Sequence, residues 1–218
     1  MMWLEYPVIG YASRTGTKRN LAELRKHEWR LLVSATGCLR HEGFPYALDN
    51  GAWTAFQKQQ PFNEVLFLKA LAKLGRDADF VVVPDIVAGG RASLEFSLQW
   101  LPRVLGSTGR ALIAVQDGMV KEDVADLIGE FCGIFVGGST EWKEATIASW
   151  CELARSKGAW SHVGRVNTAR RIQLCVSANA TSFDGTSASR FATTVPKLDR
   201  ARRFNHGTQQ IMFEIETP

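Results

Sequence analysis

Asp184 closes the short apolar stretch Ser182-Phe183-Asp184, and Arg190 follows six residues later. A carboxylate set directly after a strand can attack a sugar carbon and hold it covalently while a base leaves. Five other segments end in a residue of similar promise. Asp49 follows Tyr46–Leu48, and Asp85 follows Phe80-Val81-Val82-Val83-Pro84. Gln116 and Gly118 follow Ala111–Val115, Gly137-Gly138 follow Gly133–Val136, and Gly164 with Arg165 follows Trp160–Val163. Polar residues and glycines are common wherever a chain turns, and Asp49-Asn50-Gly51 alone reads as a turn. Asp85 alone reads equally as a helix cap. Their repetition after successive strands is what suggests one shared rim.

The elements that would carry these residues alternate. Strands are predicted over Pro7–Ala12, Leu31–Ala35, Tyr46–Leu48, Phe80–Val83, Ala111–Val115, Gly133–Val136, Trp160–Val163 and Thr181–Phe183, several of them rich in Val, Ile and Phe, as strands buried on both faces are. Helical spacing lies between them. It runs through Leu68, Leu71 and Leu74, through Leu94, Leu98, Leu101 and Leu105, and through Val120, Val124, Leu127, Ile128 and Phe131. Thr17 and Asn167 are candidate N-caps. Repeated β-then-α units imply a parallel sheet. Eight of them predict an α/β protein closed into a compact (β/α)8 TIM-like barrel, one domain over residues 1–218. An open doubly wound sheet is the alternative. Either way, function belongs at the C-terminal ends of the strands.

A hydrophobic content of 45% suffices for one substantial core and excludes a disordered chain. The formal charge is +4, but residues 155–218 hold ten Lys/Arg against four Asp/Glu. A basic C-terminal third suggests a polyanion partner, with a solvated helix face as the plainer reading. Cys38, Cys132, Cys151 and Cys175 are scattered without metal-ligand spacing and read as buried small apolar residues in a reducing compartment. The opening residues, Met1–Pro7, lack the pattern of a signal peptide, and no apolar run is long enough to span a bilayer. A cytoplasmic location is expected.

The ordered strand ends resemble the tRNA-guanine transglycosylase superfamily, especially its compact phage and bacterial members that place 7-deazaguanines in DNA. Leu48-Asp49-Asn-Gly-Ala-Trp53 stands where the tRNA enzymes read like DSGGFQ, and Val83-Pro84-Asp85-Ile-Val87 where they read like FDECTP. Val115-Gln116-Asp-Gly118 resembles VQGG. Val136-Gly137-Gly138 matches only the start of a GGLxVGE-like turn. Val163-Gly164-Arg-Val-Asn-Thr168, then Phe183-Asp184 and Arg190, resemble MGVGTP and FDxxxPTR. The likeness covers residues 45–190. It implies Asp184 as nucleophile and Asp49 as the second, acid–base carboxylate. It implies Asp85 and Gln116 reading a base edge with the Gly137-Gly138 backbone, and Arg190 and Arg165 on flanking phosphates. No metal or organic cofactor is implied. The family's cysteine-rich zinc insertion has no counterpart in these residues, which makes DNA a better expected partner than tRNA, with a free modified base as possible co-substrate. His162 stands where the family is usually apolar and reads as a hydrogen-bonded barrel histidine before a substrate contact.

The resemblance thus leads to an expected DNA-acting enzyme that cleaves an N-glycosidic bond, most simply by inserting a 7-deazaguanine. Trp53 or Trp142 would stack on a displaced nucleotide if exposed. With water as acceptor, the same constellation would be a DNA glycosylase that leaves an abasic site, for instance in anti-phage defence. A third reading is a non-catalytic nucleic-acid-binding barrel. A fourth is a metabolic barrel that holds a small phosphorylated molecule at Gly137-Gly138.

Overall fold

A computed structural model describes residues 7–203. Eight parallel strands close into a barrel, each hydrogen-bonded to the next in chain order, with β8 returning to β1. They are β1 Ile9–Ser13, β2 Arg30–Ser34, β3 Tyr46–Asp49, β4 Val81–Val82, β5 Ala111–Val115, β6 Cys132–Val136, β7 Ser161–Val163 and β8 Ser182–Gly185. All eight predicted strands are present, and closure removes the open-sheet alternative. Strand β4 is reduced to two residues, with Pro84, which has no N–H to offer a ladder, shortly after it.

The helices are α1 Lys18–Lys26, α2 Ala52–Gln57, α3 Glu64–Leu74, α4 Gly90–Leu105, α5 Thr140–Ser156, α6 Ala169–Ser177, α7 Ser187–Arg190 and α8 Val195–Arg203. Alternation along the strands divides the apolar side chains in two. One set packs outward against the helices, with Leu31, Val33, Leu48, Val81, Ile113, Val115, Ile134 and Val136 among its members. The other fills the barrel: Tyr11, Ala47, Phe80, Val82 and Leu112, with Ile9, Leu32, Phe135 and Trp160 against them. The interior is therefore packed solid below its mouth, and a ligand has room only above this layer.

Three expectations need correction. The stripe from Val120 to Phe131 forms no α-helix. A single 3-10 turn, Lys121–Asp123, is followed by further turns, and Gly129 bridges to Cys132. Val124 and Ile128 are buried while Val120 and Phe131 are exposed, so successive tight turns bury two residues four apart without a continuous helix. In α4 the buried face runs through Ser93, Leu94, Ser97, Trp100 and Val104, and Leu98 is exposed, because Trp100 turns the inward stripe away from the leucine spacing. Asn167 does not cap α6. Thr168 does, accepting from the Arg171 amide, and the Asn167 side chain turns to the loop after β8. Thr17 occupies the N-cap position of α1 without a side-chain hydrogen bond.

Cys132, Cys151 and Cys175 are buried, whereas Cys38 is exposed. Much of the basic C-terminal third is paired within the fold. Arg170 and Arg171 bind Glu144 at 2.8 and 2.9 Å. Arg202 and Arg203 grip the buried Asp199 at 2.7 and 2.8 Å, and Arg202 also donates to the Val8 carbonyl, which ties α8 to the start of β1. The opening residues 1–6 and the tail 204–218 lie outside the described residues. No helix among the described residues is long and apolar enough to cross a membrane.

Candidate active site

The strand ends converge at the C-terminal mouth of the barrel. Asp49 is the last residue of β3. Its Oδ2 accepts from the Gly51 amide at 3.0 Å, a geometry that needs Gly51 in the left-handed region (φ 84°). An added Cβ there would press on the Thr36 side chain. The Asp49 carboxyl is raised from 3.8 to about 6, chiefly by burial and then by the negative charge of Asp184, with the Gly51 and Ser34 hydrogen bonds only partly opposing this. The charge of Asp184 acts on Asp49, so these two carboxylates, at the ends of strands three places apart, lie near one another at the rim.

Asp184 lies in β8, 6% exposed. Its Oδ1 accepts from His162 Nε2 at 3.1 Å and from the Arg165 backbone amide at 3.2 Å. Among the described residues, nothing hydrogen-bonds its Oδ2. One oxygen is thus anchored and the other is free to take a proton or meet a ligand.

Asp85 is placed by amides. Asn50 Nδ2 donates to its Oδ1 and Gln116 Nε2 to its Oδ2, each at 2.8 Å. Burial again dominates and raises the carboxyl to about 6, against the Asn50 bond and the nearby positive charge of Arg165. Gln116 is 2% exposed and fully engaged. It also donates to the Ile86 carbonyl and accepts from the Gly89 amide, so it organises the loop that carries Asp85 and offers a ligand no free amide. Asn50 does similar work: it donates to the Val83 carbonyl and accepts from the Ala52 amide, joining the loops after β3 and β4.

Gly137 directly follows β6, with its amide on the Val115 carbonyl at 2.9 Å. Gly138 has φ 73°, and a Cβ there would collide with Asp117 and Trp142. The Gly138 carbonyl accepts from the Arg165 guanidinium at 2.5 Å. Arg165, itself left-handed at φ 59°, lays that guanidinium over the Trp53 ring, 4.1 Å from its centroid. Trp53 stacks on Phe56 and remains 36% exposed, whereas Trp142 packs on Trp150. Arg190 is exposed at the end of α7, and its guanidinium makes no hydrogen bond among the described residues.

Asp49, Asp85, Asp184 and Arg165 are therefore brought together, Gln116 and the two glycines frame them, and Arg190 stands apart. Asn50 and the contact between Trp53 and Arg165 went unread; His162 is the hydrogen-bonded barrel histidine expected, and its partners are Asp184 and Ser182. Only His162 left a signal in the sequence: it sits two residues before Gly164, on the inward phase of its strand. No group of three or more His, Cys, Asp or Glu side chains among the described residues is placed to hold a metal ion.

Fold and rim together define a compact (β/α)8 barrel with a carboxylate-lined mouth. No family model matches the chain, and no curated protein matches it. Among solved structures it is similar to one described as "Native KDPGal structure", with a TM-score of 0.54 and 9% identity over 91% of this chain and 95% of that one. That finding overturns the expected base exchange or excision on DNA, since the description of the matched barrel names neither glycosyl transfer nor DNA. At 9% identity the likeness carries the fold and no activity to this chain, so function has to be read from the rim itself.

Proposed function

We propose that the protein is an enzyme that moves protons on a small carbonyl compound at the barrel mouth, in the manner of an isomerase or lyase. The observation that carries this reading is the pair Asp49 and Asp184. One carboxyl keeps its proton up to about pH 6, and the other presents an unbonded oxygen to the same space. Two titrating groups with different surroundings are what acid–base chemistry requires. Asp184 Oδ2 takes a proton from a carbon next to the carbonyl. Asp49, in its protonated form, gives one to the carbonyl oxygen as negative charge develops there, so no free enolate has to form.

The substrate class follows from charge. Three aspartates line the mouth, and the one guanidinium among them, Arg165, is bound to the Gly138 carbonyl and Trp53. A neutral or cationic, hydroxyl-rich molecule suits that field better than a polyanion. Imine chemistry through a strand lysine has no support, because none of the eight strands contains a lysine. The buried Lys143 lies on α5 with its Nζ on the Gly164 carbonyl at 2.5 Å.

The test is solvent hydrogen exchange. The protein is incubated in deuterated buffer at pH 5.5 with pooled neutral hydroxycarbonyl compounds, and mass spectrometry reads deuterium uptake. Uptake that disappears in both Asp184→Asn and Asp49→Asn is expected. Uptake unaffected by either substitution overturns the proposal.

A further inference from the structure

A line of hydrogen bonds runs from the candidate base down through the barrel. Asp184 Oδ1 meets His162 Nε2 at 3.1 Å, His162 Nδ1 meets Ser182 Oγ at 2.8 Å, and Trp160 Nε1 meets the same Ser182 Oγ at 2.7 Å. His162 and Ser182 are both fully buried. Aromatic rings enclose the imidazole: Phe135 stacks on it at 5.1 Å between centroids, and Phe80 and Tyr11 lie at 4.9 and 5.6 Å.

The direction of every bond in this line is fixed from one end. An indole N–H only donates, so Ser182 Oγ accepts from Trp160. The serine hydroxyl proton then needs an acceptor, and His162 Nδ1 is the remaining partner of Oγ among the described residues. A buried hydroxyl with no acceptor is disfavoured. Nδ1 therefore carries no proton, and the single imidazole proton sits on Nε2, where it donates to Asp184 Oδ1. The opposite tautomer would strand the serine proton and set a bare Nε2 lone pair against a carboxylate oxygen.

We infer that Trp160 and Ser182 act as a tautomer selector, and that His162 is the positioning residue through which they hold Asp184 with Oδ1 anchored and Oδ2 turned to the mouth. The role given to Asp184 rests on the proposed proton-transfer function; the tautomer does not. When Oδ2 takes a proton from substrate, Nε2 keeps its own, so His162 orients the base without exchanging a proton with it. The arrangement also explains a polar residue among the rings of the barrel interior. An apolar residue would leave Asp184 Oδ1 with a single donor, the Arg165 amide.

Long-range 15N–1H correlation spectra of histidine-labelled protein test the assignment, with His162→Gln identifying the signal. Between pH 6 and 8 the wild type is expected to show the Nε2–H form alone. In Ser182→Ala, which removes the hydroxyl on Nδ1 and leaves Asp184 as the remaining selector, the Nδ1–H form is expected to appear as a minor population. In the deuterium-uptake assay Ser182→Ala is expected to lower the rate on the order of tenfold, as loss of an outer partner commonly does. His162→Gln, which keeps a donor near Asp184, is expected to retain more uptake than His162→Ala. A wild-type Nδ1–H or doubly protonated ring overturns the inference without any variant having to fold. So does an unchanged tautomer in a folded Ser182→Ala. If the tautomer is as assigned but Asp184→Asn leaves uptake intact, the proton-transfer function fails and the selector stands.

Discussion

Replacing Asp49 by asparagine should stabilise the protein, and the gain should depend on pH. The Asp49 carboxyl is raised from 3.8 to about 6. At roughly 1.4 kcal/mol per pH unit, the folded state penalises the charged form by about 3 kcal/mol. Because the folded value lies above the unfolded one, the folded protein holds this proton more tightly. The group costs nothing below about pH 4, where both states are protonated, and its full penalty is reached above about pH 6. Asparagine keeps the shape and an acceptor for the Gly51 amide but carries no charge. Water at the mouth screens part of the penalty, so about half of it, roughly 1.5 kcal/mol, is a reasonable expectation. For a chain of this length that corresponds to roughly 3–6 °C in Tm. Thermal unfolding of wild type and Asp49→Asn, followed by circular dichroism from pH 4 to 8, is the assay. The two curves should coincide near pH 4 and separate as pH rises through 5 and 6. A Tm difference constant over that range, or larger at pH 4, refutes the reasoning. Asp184→Asn should reproduce a smaller part of the gain, since burial outweighs the charge of Asp184 in raising Asp49. A stabilising substitution at the cost of activity is a common mark of a working site.

Activity in the deuterium assay should fall as pH rises through about 6, because Asp49 then loses the proton it donates; a rate that climbs steadily from pH 5 to 8 contradicts its role as acid. Gly185→Ala should destabilise the protein by about 3 kcal/mol or more, since a Cβ there would overlap the Val166 carbonyl, which is backbone and cannot swing aside; chemical denaturation measures it. Trp53→Ala should cost stability by only about 0.5–1 kcal/mol, the worth of an exposed cation–π contact. It should nevertheless alter access to the mouth, seen as faster quenching of the remaining tryptophans by acrylamide.

The barrel was legible because strands buried on both faces leave short apolar runs, and eight such runs survive even where β4 shrinks to two residues. The helix expected over Val120–Phe131 was not, because a spacing of four marks burial on one side and is met equally by consecutive turns. At the site, the residues directly after strands were readable, since chain direction alone brings Asp49, Asp85 and Asp184 to one rim. Their roles were not. Gln116 looks like a ligand contact until its amide is found spent on Asp85 and Ile86, and Arg190, read as a phosphate contact, is carried by α7 to an exposed place apart from the carboxylates. His162 was readable as a hydrogen-bonded barrel histidine, but not its partner, which stands 22 positions away where no local pattern records it.

Asn167 braces one side of the mouth. Its Oδ1 accepts from the Thr186 and Ser187 amides at 2.8 and 3.2 Å, and the Val166 amide meets the Asp184 carbonyl at 2.6 Å. The segments following β7 and β8 are thereby stitched into one unit that includes the backbone of Arg165. Across the opening, the Arg165 side chain contacts the ring of Trp53 and the Gly138 carbonyl among the described residues. Asp184 thus sits in a wall braced by backbone hydrogen bonds, whereas Arg165 reaches across from that wall on side-chain contacts alone.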